Sequence, residues 1–369
     1  MSQNITIREI TDAASFEALR EQWNSLIASS PTQDAFLTWE WFHAWMKSYG
    51  KTAKIRIFTA WENDTLLGAA PFMTIQQKKI GLRFKVLRTL SAPECDASGF
   101  LLKDGNKAAL QALLDYIVTK SGGWQAIEFN RYAMHNLETR EILENLKGRG
   151  FDIHEIPHKH FYVPYTTIGS WDNYFKEINS NFRRKLKKTE QGMATLGNFE
   201  VKRFKGRDVT WDTIEAIIEV NRHSTFPNIC NSEEDQTLHR ELIVSMADKS
   251  WMDVYILFID GKPSAYLYGF LYNNCMGYWR VGFDRRTDPN VAIGVYLLSQ
   301  VIKSGFDEGQ KELDFLRGDE EYKNRWTSSS RDYINFKAVP AGRFLTRLAF
   351  TWAPRINTTL KGWFKRDHE

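Results

Sequence analysis

Between Asp253 and Phe283 the chain runs through three apolar, β-favouring stretches, Asp253–Ile259, Pro263–Tyr272 and Cys275–Phe283, joined by Asp260-Gly261 and Asn273-Asn274. Both dipeptides suit two-residue hairpin turns, whose central residues take positive φ at little cost. The three runs must therefore meander antiparallel. Straight after them, Ala292–Glu308 has a helical apolar period, and Glu312–Leu316 alternates apolar with acidic residues as a strand does. A last strand is expected over Asp332–Val339. Upstream lie a strand at Phe161–Tyr165, helices at Ser170–Ile178 and Asn181–Leu196, a strand at Glu200–Phe204, and helices at Thr210–Asn221 and Glu234–Ala247. Helices, then a meander, then strand–helix–strand is an α+β order with one crossover.

The first half gives a looser version of the same order. A strand over residues 4–10 precedes helices at Ser15–Ile27 and Ala35–Met46. A hairpin, Ile55–Trp61 and Thr65–Ile75, turns at Asn63-Asp64, and a helix at Lys107–Thr119, a strand at Ala126–Asn130 and a helix at Leu137–Leu146 follow. The polar stretch His154–His160 reads as a junction. A length of 369 residues fits two domains. We expect an N-terminal domain over 1–157, a C-terminal domain over 158–341 and a tail over 342–369.

Composition excludes several classes. Three cysteines, far apart and without C-x-x-C spacing, make no disulfide framework and suit a reducing compartment. The N-terminus has no apolar leader-like core, and no run reaches the ~20 apolar residues that span a bilayer, so the chain reads as cytoplasmic. The net charge of +4 does not by itself imply nucleic acid, and no DNA partner is expected. The histidines have no metal-ligand spacing, so no metal is assigned. A hydrolase is not expected, because no G-x-S-x-G elbow accompanies His223-Ser224.

Three segments concentrate charge. Residues 312–326 end in a loop that packs Arg317, Asp319, Glu320, Tyr322, Lys323 and Arg325 around Gly318, which suits a wet cleft or an anionic ligand as well as a salt-bridged turn. Arg183, Arg184, Lys185, Lys187 and Lys188 crowd one helix whose apolar stripe is Phe182, Leu186 and Met193. Like charges at this spacing destabilise a helix unless anions offset them. The tail from Gly342 to Arg366 interleaves six basic residues with aromatics and leucines and has no acid. Such a tail either docks on the body of the protein or lies on an anionic membrane.

The segment D-F-L-R-G-D-E-x-Y-K-x-R-W from Asp314 to Trp326 resembles the closing signature of the CelD-like branch of the GNAT acyltransferase superfamily. Asn181-Phe-Arg-Arg-Lys-Leu-Lys-Lys is similar to that family's basic helix, Leu257-Phe-Ile-Asp-Gly-Lys-Pro-Ser-Ala to its hairpin, and Tyr278-Trp-Arg-Val-Gly-Phe-Asp to its strand end. A weaker resemblance covers Phe36-Leu-Thr-Trp-Glu-Trp and Gly68-Ala-Ala-Pro-Phe. The resemblance implies tandem GNAT-like α+β domains with mixed central sheets, as in Fem-type transferases. It implies an N-acyltransferase that moves an acyl group from acetyl-CoA or another acyl-CoA to an amine or hydroxyl of a sugar, polysaccharide or envelope precursor. Two alternatives remain open: Fem-like transfer from aminoacyl-tRNA, the one case with an RNA partner, and a non-catalytic accessory role in cellulose-type exopolysaccharide synthesis.

By the same resemblance the cofactor would sit on the helix start Ala292-Ile293-Gly294, where the family usually has S-P-G and only the glycine is kept. Acyl transfer needs a base, an oxyanion donor and an acid. Asp314, Asp319 and Asp284 are the carboxylates for the base, Tyr322 or Tyr278 the acid, and Lys323, in an element resembling the Fem-type F-K-x-x-F, the group that fixes a phosphate or the acyl carbonyl. Asp314, Tyr322 and Lys323 are taken as the catalytic set. Arg183, Arg184, Lys187, Arg280, Arg317, Asp319 and Trp326 are expected around an anionic substrate, with Lys323 and Arg183 on the same anion.

Overall fold

A computed structural model describes residues 4–50, 53–225 and 228–354. In chain order its main elements are β1 (Thr6–Ile10), α1 (Ala13–Glu17), α2 (Arg20–Ser29), α3 (Trp39–Ser48), β2 (Lys54–Glu62), β3 (Thr65–Lys79), β4 (Leu82–Thr89), β5 (Leu101–Leu102), α4 (Lys107–Thr119), β6 (Ala126–Ala133), α5 (Leu137–Gly148) and β7 (Phe151–Val163). The second half continues with α6 (Tyr165–Ile168), α7 (Trp171–Glu177), α8 (Ser180–Met193), β8 (Phe199–Lys205), α9 (Trp211–Arg222), α10 (Glu233–Met246), β9 (Met252–Ile259), β10 (Lys262–Tyr272), β11 (Cys275–Phe283), α11 (Ile293–Asp307), β12 (Glu312–Arg317), β13 (Ser330–Pro340) and α12 (Phe344–Arg347). Two compact units result. Among the described residues the first holds the chain from residue 4 to Met46, Gly50–His158 and Asp332 to Pro354; the second holds Lys47–Tyr49 and Lys159–Arg331.

Each unit has the same sheet plan. In the first, β1, β2, β3 and β4 follow one another antiparallel, β6 joins β4 in parallel, and β13 joins β6 antiparallel. In the second, β8, β9, β10 and β11 are antiparallel neighbours, β12 lies parallel to β11, and the end of β7 pairs antiparallel with β12. In both, the parallel strand is reached through a helix, α4 or α11, as a parallel return requires. The cores follow from the periodicity. Leu110, Leu113, Leu114 and Ile117 of α4 pack on Phe58, Phe72 and Phe129. In the second unit Leu297, Leu298, Val301 and Ile302 of α11, with Phe182 and Leu186 of α8, pack on Leu257, Leu267, Leu313 and Phe315.

The division between the two units falls within His154–His160, between His158 and Lys159, and it lies inside the continuous strand β7 rather than in a loop. The polar composition of that stretch hides an inward face: His154 and His160 are buried. The strand Asp332–Val339, expected to close the C-terminal domain, instead pairs with β6 in the first unit. The described part of the tail docks on that unit. Phe350 is buried against Phe84, and Arg347, Thr351 and Trp352 all donate to the Asp152 carboxylate. The remainder of the expected tail, residues 355–366, lies outside the described residues.

Candidate active site

The parallel ladder between β11 and β12 lasts only three pairs, Cys275↔Glu312, Met276↔Leu313 and Gly277↔Asp314. Beyond it β12 runs on beside β7, while Tyr278–Phe283 have no β12 partner. The cause is local. The β10–β11 register shifts between Tyr268↔Arg280 and Phe270↔Gly277, so β11 carries an extra residue at Tyr278–Trp279. A bulge of this kind bends its strand and re-aims side chains. Opposite it, Gly269 is obligatory, because a Cβ there would lie 1.9 Å from the Gly277 carbonyl oxygen. Further along, the loop between α9 and α10 holds the outer edge of β11. Ser224 Oγ accepts from Phe283 N (3.1 Å) and donates to its carbonyl (3.0 Å), and Asn228 Nδ2 donates to Val281 O (2.9 Å).

At the divergence sit two tyrosines. The Tyr278 and Tyr322 hydroxyls lie close enough to influence each other's titration, and both rings pack against the core under α8 and α11. Burial pushes Tyr322 up to about 12 and Tyr278 well above the tyrosine range, and the nearby Glu320 carboxylate adds to both. Both hydroxyls therefore stay protonated at physiological pH and can donate. Such a protonated hydroxyl can donate to negative charge that develops at a leaving group, which fits the part expected of Tyr322.

The loop that carries Tyr322 is braced from within. Leu316 and Gly318 both have positive φ, 54° and 113°; the leucine is strained there and the glycine is suited to it. Lys323 is only 2% exposed, and its ammonium donates to Arg317 O (2.8 Å) and Gly318 O (3.1 Å) and pairs with Glu320 (2.8 Å). Its donors are thus taken by the loop, so Lys323 cannot meet a substrate anion or share one with Arg183 as expected. Asp314 is no free base: its carboxylate accepts from Leu316 N (2.7 Å), lies 3.7 Å from Arg331 and 3.8 Å from buried His160. Asp284 is held below the usual carboxylate range by its hydrogen bonds with Arg286. The carboxylate whose charge is felt at both tyrosines is Glu320, 57% exposed at its side chain and paired with Lys323. Its reach depends on the fold of the loop, which the sequence does not display. Asp319 and Arg317 are exposed on the same loop.

Trp326, expected at the substrate, is a core residue, 2% exposed, edge-on to Phe182 at 4.9 Å. Arg280 stacks on Trp279 and faces the layer of α10. There, burial raises Asp235, but His239 and Arg280 outweigh it and keep that carboxyl below its usual value. This polar layer behind β11, with His239 Nδ1 3.3 Å from Tyr268 OH and Tyr266 OH donating to Asn228 (2.8 Å), had no signature in the sequence.

The basic helix lines a groove. Arg183, Arg184 and Lys187 of α8 line a groove of about 580 Å³ with Lys176, Phe175 and Ser180. Arg183 donates to the Lys176 carbonyl at the end of α7 (2.6 Å), which fixes its guanidinium, and Lys187 lies over the Phe175 ring. Among the described residues no carboxylate lies within 4 Å of these cations. Four clustered cations without a counter-charge suit a phosphorylated group. On the same layer, α11 opens without a side-chain cap or an acid in its first turn. Ile293 is buried in the core, while the Gly294 amide bonds no acceptor among the described residues.

Residues 180–324 match the family model described as an acetyltransferase (GNAT) domain. The crystal structure of FemX, 12% identical, superposes over 93% of this chain and 99% of its own with a TM-score of 0.60. L-PGS from Bacillus licheniformis, 9% identical, covers 87% and 91% with a TM-score of 0.53. A tandem GNAT protein from the clavulanic acid biosynthesis pathway, 9% identical, covers 91% and 98% with a TM-score of 0.50. No curated protein matches the chain. The fold is that of tandem GNAT proteins, as the sequence led us to expect, and the matched domain marks an acyltransferase-type enzyme.

Proposed function

We propose that the protein is an N-acyltransferase that takes its acyl group from an acyl-CoA and passes it to an amine or hydroxyl of a phosphorylated sugar, polysaccharide or envelope precursor. The observation that carries this reading is the break of the β11–β12 ladder at a bulge, with the Tyr278–Tyr322 pair at its mouth. A thioester laid in that gap would turn its diphosphate toward the first turn of α11, where the unbonded Gly294 N–H and the helix dipole favour an anion. The acceptor's phosphate lies in the groove of Arg184 and Lys187. The acceptor nitrogen attacks the thioester carbonyl, the new C–N bond forms, and the C–S bond breaks with its electrons going to sulfur. Tyr322 donates a hydrogen bond to the charge that develops, and Glu320 takes the proton released by the nitrogen.

A second reading, aminoacyl transfer from aminoacyl-tRNA, is favoured by one feature: the carboxylate-free groove also suits an RNA phosphate backbone. Labelled acetyl-CoA, longer acyl-CoAs and aminoacyl-tRNA, each offered with amino-sugar nucleotides as acceptors, separate the two. We expect transfer from an acyl-CoA, and a roughly 10–100-fold lower kcat in Tyr322→Phe, the size of losing one preorganised donor. Transfer from aminoacyl-tRNA alone would select the second reading. Failure of all donors would leave the accessory role.

A further inference from the structure

We propose that the first unit docks on an anionic phospholipid membrane through the β3–β4 hairpin and the start of the tail. The hairpin ladder runs out to Lys78↔Arg83 and Lys79↔Leu82, and its two turn residues are Ile80 and Gly81, with φ of 45° and 79°. Such a turn ordinarily takes Asn, Asp or Gly at its first position. A β-branched residue with positive φ is strained, and Ile80 gains no packing in return. It is 50% exposed, and Leu82 beside it is 44% exposed. Two aliphatic side chains thus stand at the outermost point of a long hairpin with no folding reason to be there.

Around them the charge is of one sign. Lys78 and Arg83 face each other across the ladder, and like charges so placed repel. Lys79 and Lys85 flank them, and no acid occurs between Ile75 and Pro93. Below the tip, Arg83, Lys85 and Arg343 line a groove of about 430 Å³ together with Gln76, Trp124 and Gln125. Among the described residues no carboxylate lies within 4 Å of these cations. Straight after Arg343, Phe344 and Leu345 are 62% and 53% exposed, although the rest of that segment is docked.

Exposed apolar residues beside a cationic, hydrogen-bonding groove match a bilayer surface, where phosphate headgroups and hydrocarbon are met together. A second copy of the chain is a poor occupant, because these cations would face their own kind. A nucleic acid would leave the aliphatic tip without a partner. Among the described residues no helix is long and apolar enough to cross a membrane, so the contact is peripheral.

The test is co-sedimentation of the full chain with vesicles of phosphatidylcholine alone or mixed with phosphatidylglycerol. We expect binding to the mixed vesicles only, weakening as salt is raised. Lys78→Glu/Arg83→Glu is expected to weaken binding at least roughly tenfold. Ile80→Asn/Leu82→Ser is expected to weaken it about tenfold while leaving the melting temperature unchanged or higher, since asparagine suits the turn. Equal binding to neutral vesicles, or unchanged binding of both variants, would overturn the proposal. So would equal affinity for soluble polyphosphate that is insensitive to Ile80→Asn/Leu82→Ser. Self-association of the wild type in light scattering, abolished by the same variant, would overturn it in favour of a second copy.

Discussion

Lys323 illustrates how the chemistry of single residues here departs from their type. A lysine in a charged loop invites a ligand, yet its ammonium bonds two carbonyls of its own loop and Glu320. Lys323→Met would leave Arg317 O and Gly318 O without a donor. We expect a loss of about 1–3 kcal/mol in urea unfolding, together with a loss of activity as Tyr322 and Glu320 lose their support. None of this is legible in the sequence, because Lys323 is buried by backbone carbonyls that only the positive φ of Leu316 and Gly318 brings round. Arg183, Arg184 and Lys187 were legible as a group because helical spacing alone puts them together. What spacing could not give was Lys176 from α7, which completes their groove.

The elements were read well where local chemistry decides them. Asp260-Gly261 and Asn273-Asn274 place β9, β10 and β11, and the apolar period places α11. The pairing Lys78–Lys79 with Leu82–Arg83 was missed, since a basic turn with isoleucine at its tip has no hairpin signature. The bulge in β11 was also invisible, because its one trace is a glycine in the facing strand. Gly269→Ala tests its place: a Cβ 1.9 Å from the Gly277 oxygen forces β11 away. We expect a loss of several kcal/mol, or an insoluble chain, as with other overpacked sites (about 1–3 kcal/mol or more). Behind the same strand, burial holds His239 below its usual pKa. The unfolded chain therefore binds the proton first. Stability should be complete above about pH 6.5 and fall as pH drops below it, by up to about 1.4 kcal/mol per pH unit from this one group. Urea titrations from pH 7.5 to roughly 5 should show that slope, and His239→Gln should flatten it.

Across the whole molecule, two units share one sheet plan but differ at the start of the helix that crosses to the parallel strand. In the first unit Asn106 Oδ1 accepts from Ala109 N (2.9 Å) and closes the N-terminus of α4. In the second, α11 has no side-chain cap and the Gly294 amide is free of acceptors among the described residues. The tandem order was visible in the sequence, but which unit each late strand joins was not, since β13 pairs with β6 over some 200 residues of chain. On the proposed reading the diphosphate therefore goes to the crossover helix of the second unit. Calorimetric titration of the full chain with acetyl-CoA and longer acyl-CoAs tests this most directly. We expect one equivalent bound per chain, with a micromolar-range Kd for at least one acyl-CoA; two equivalents, or no heat at millimolar ligand, would contradict it.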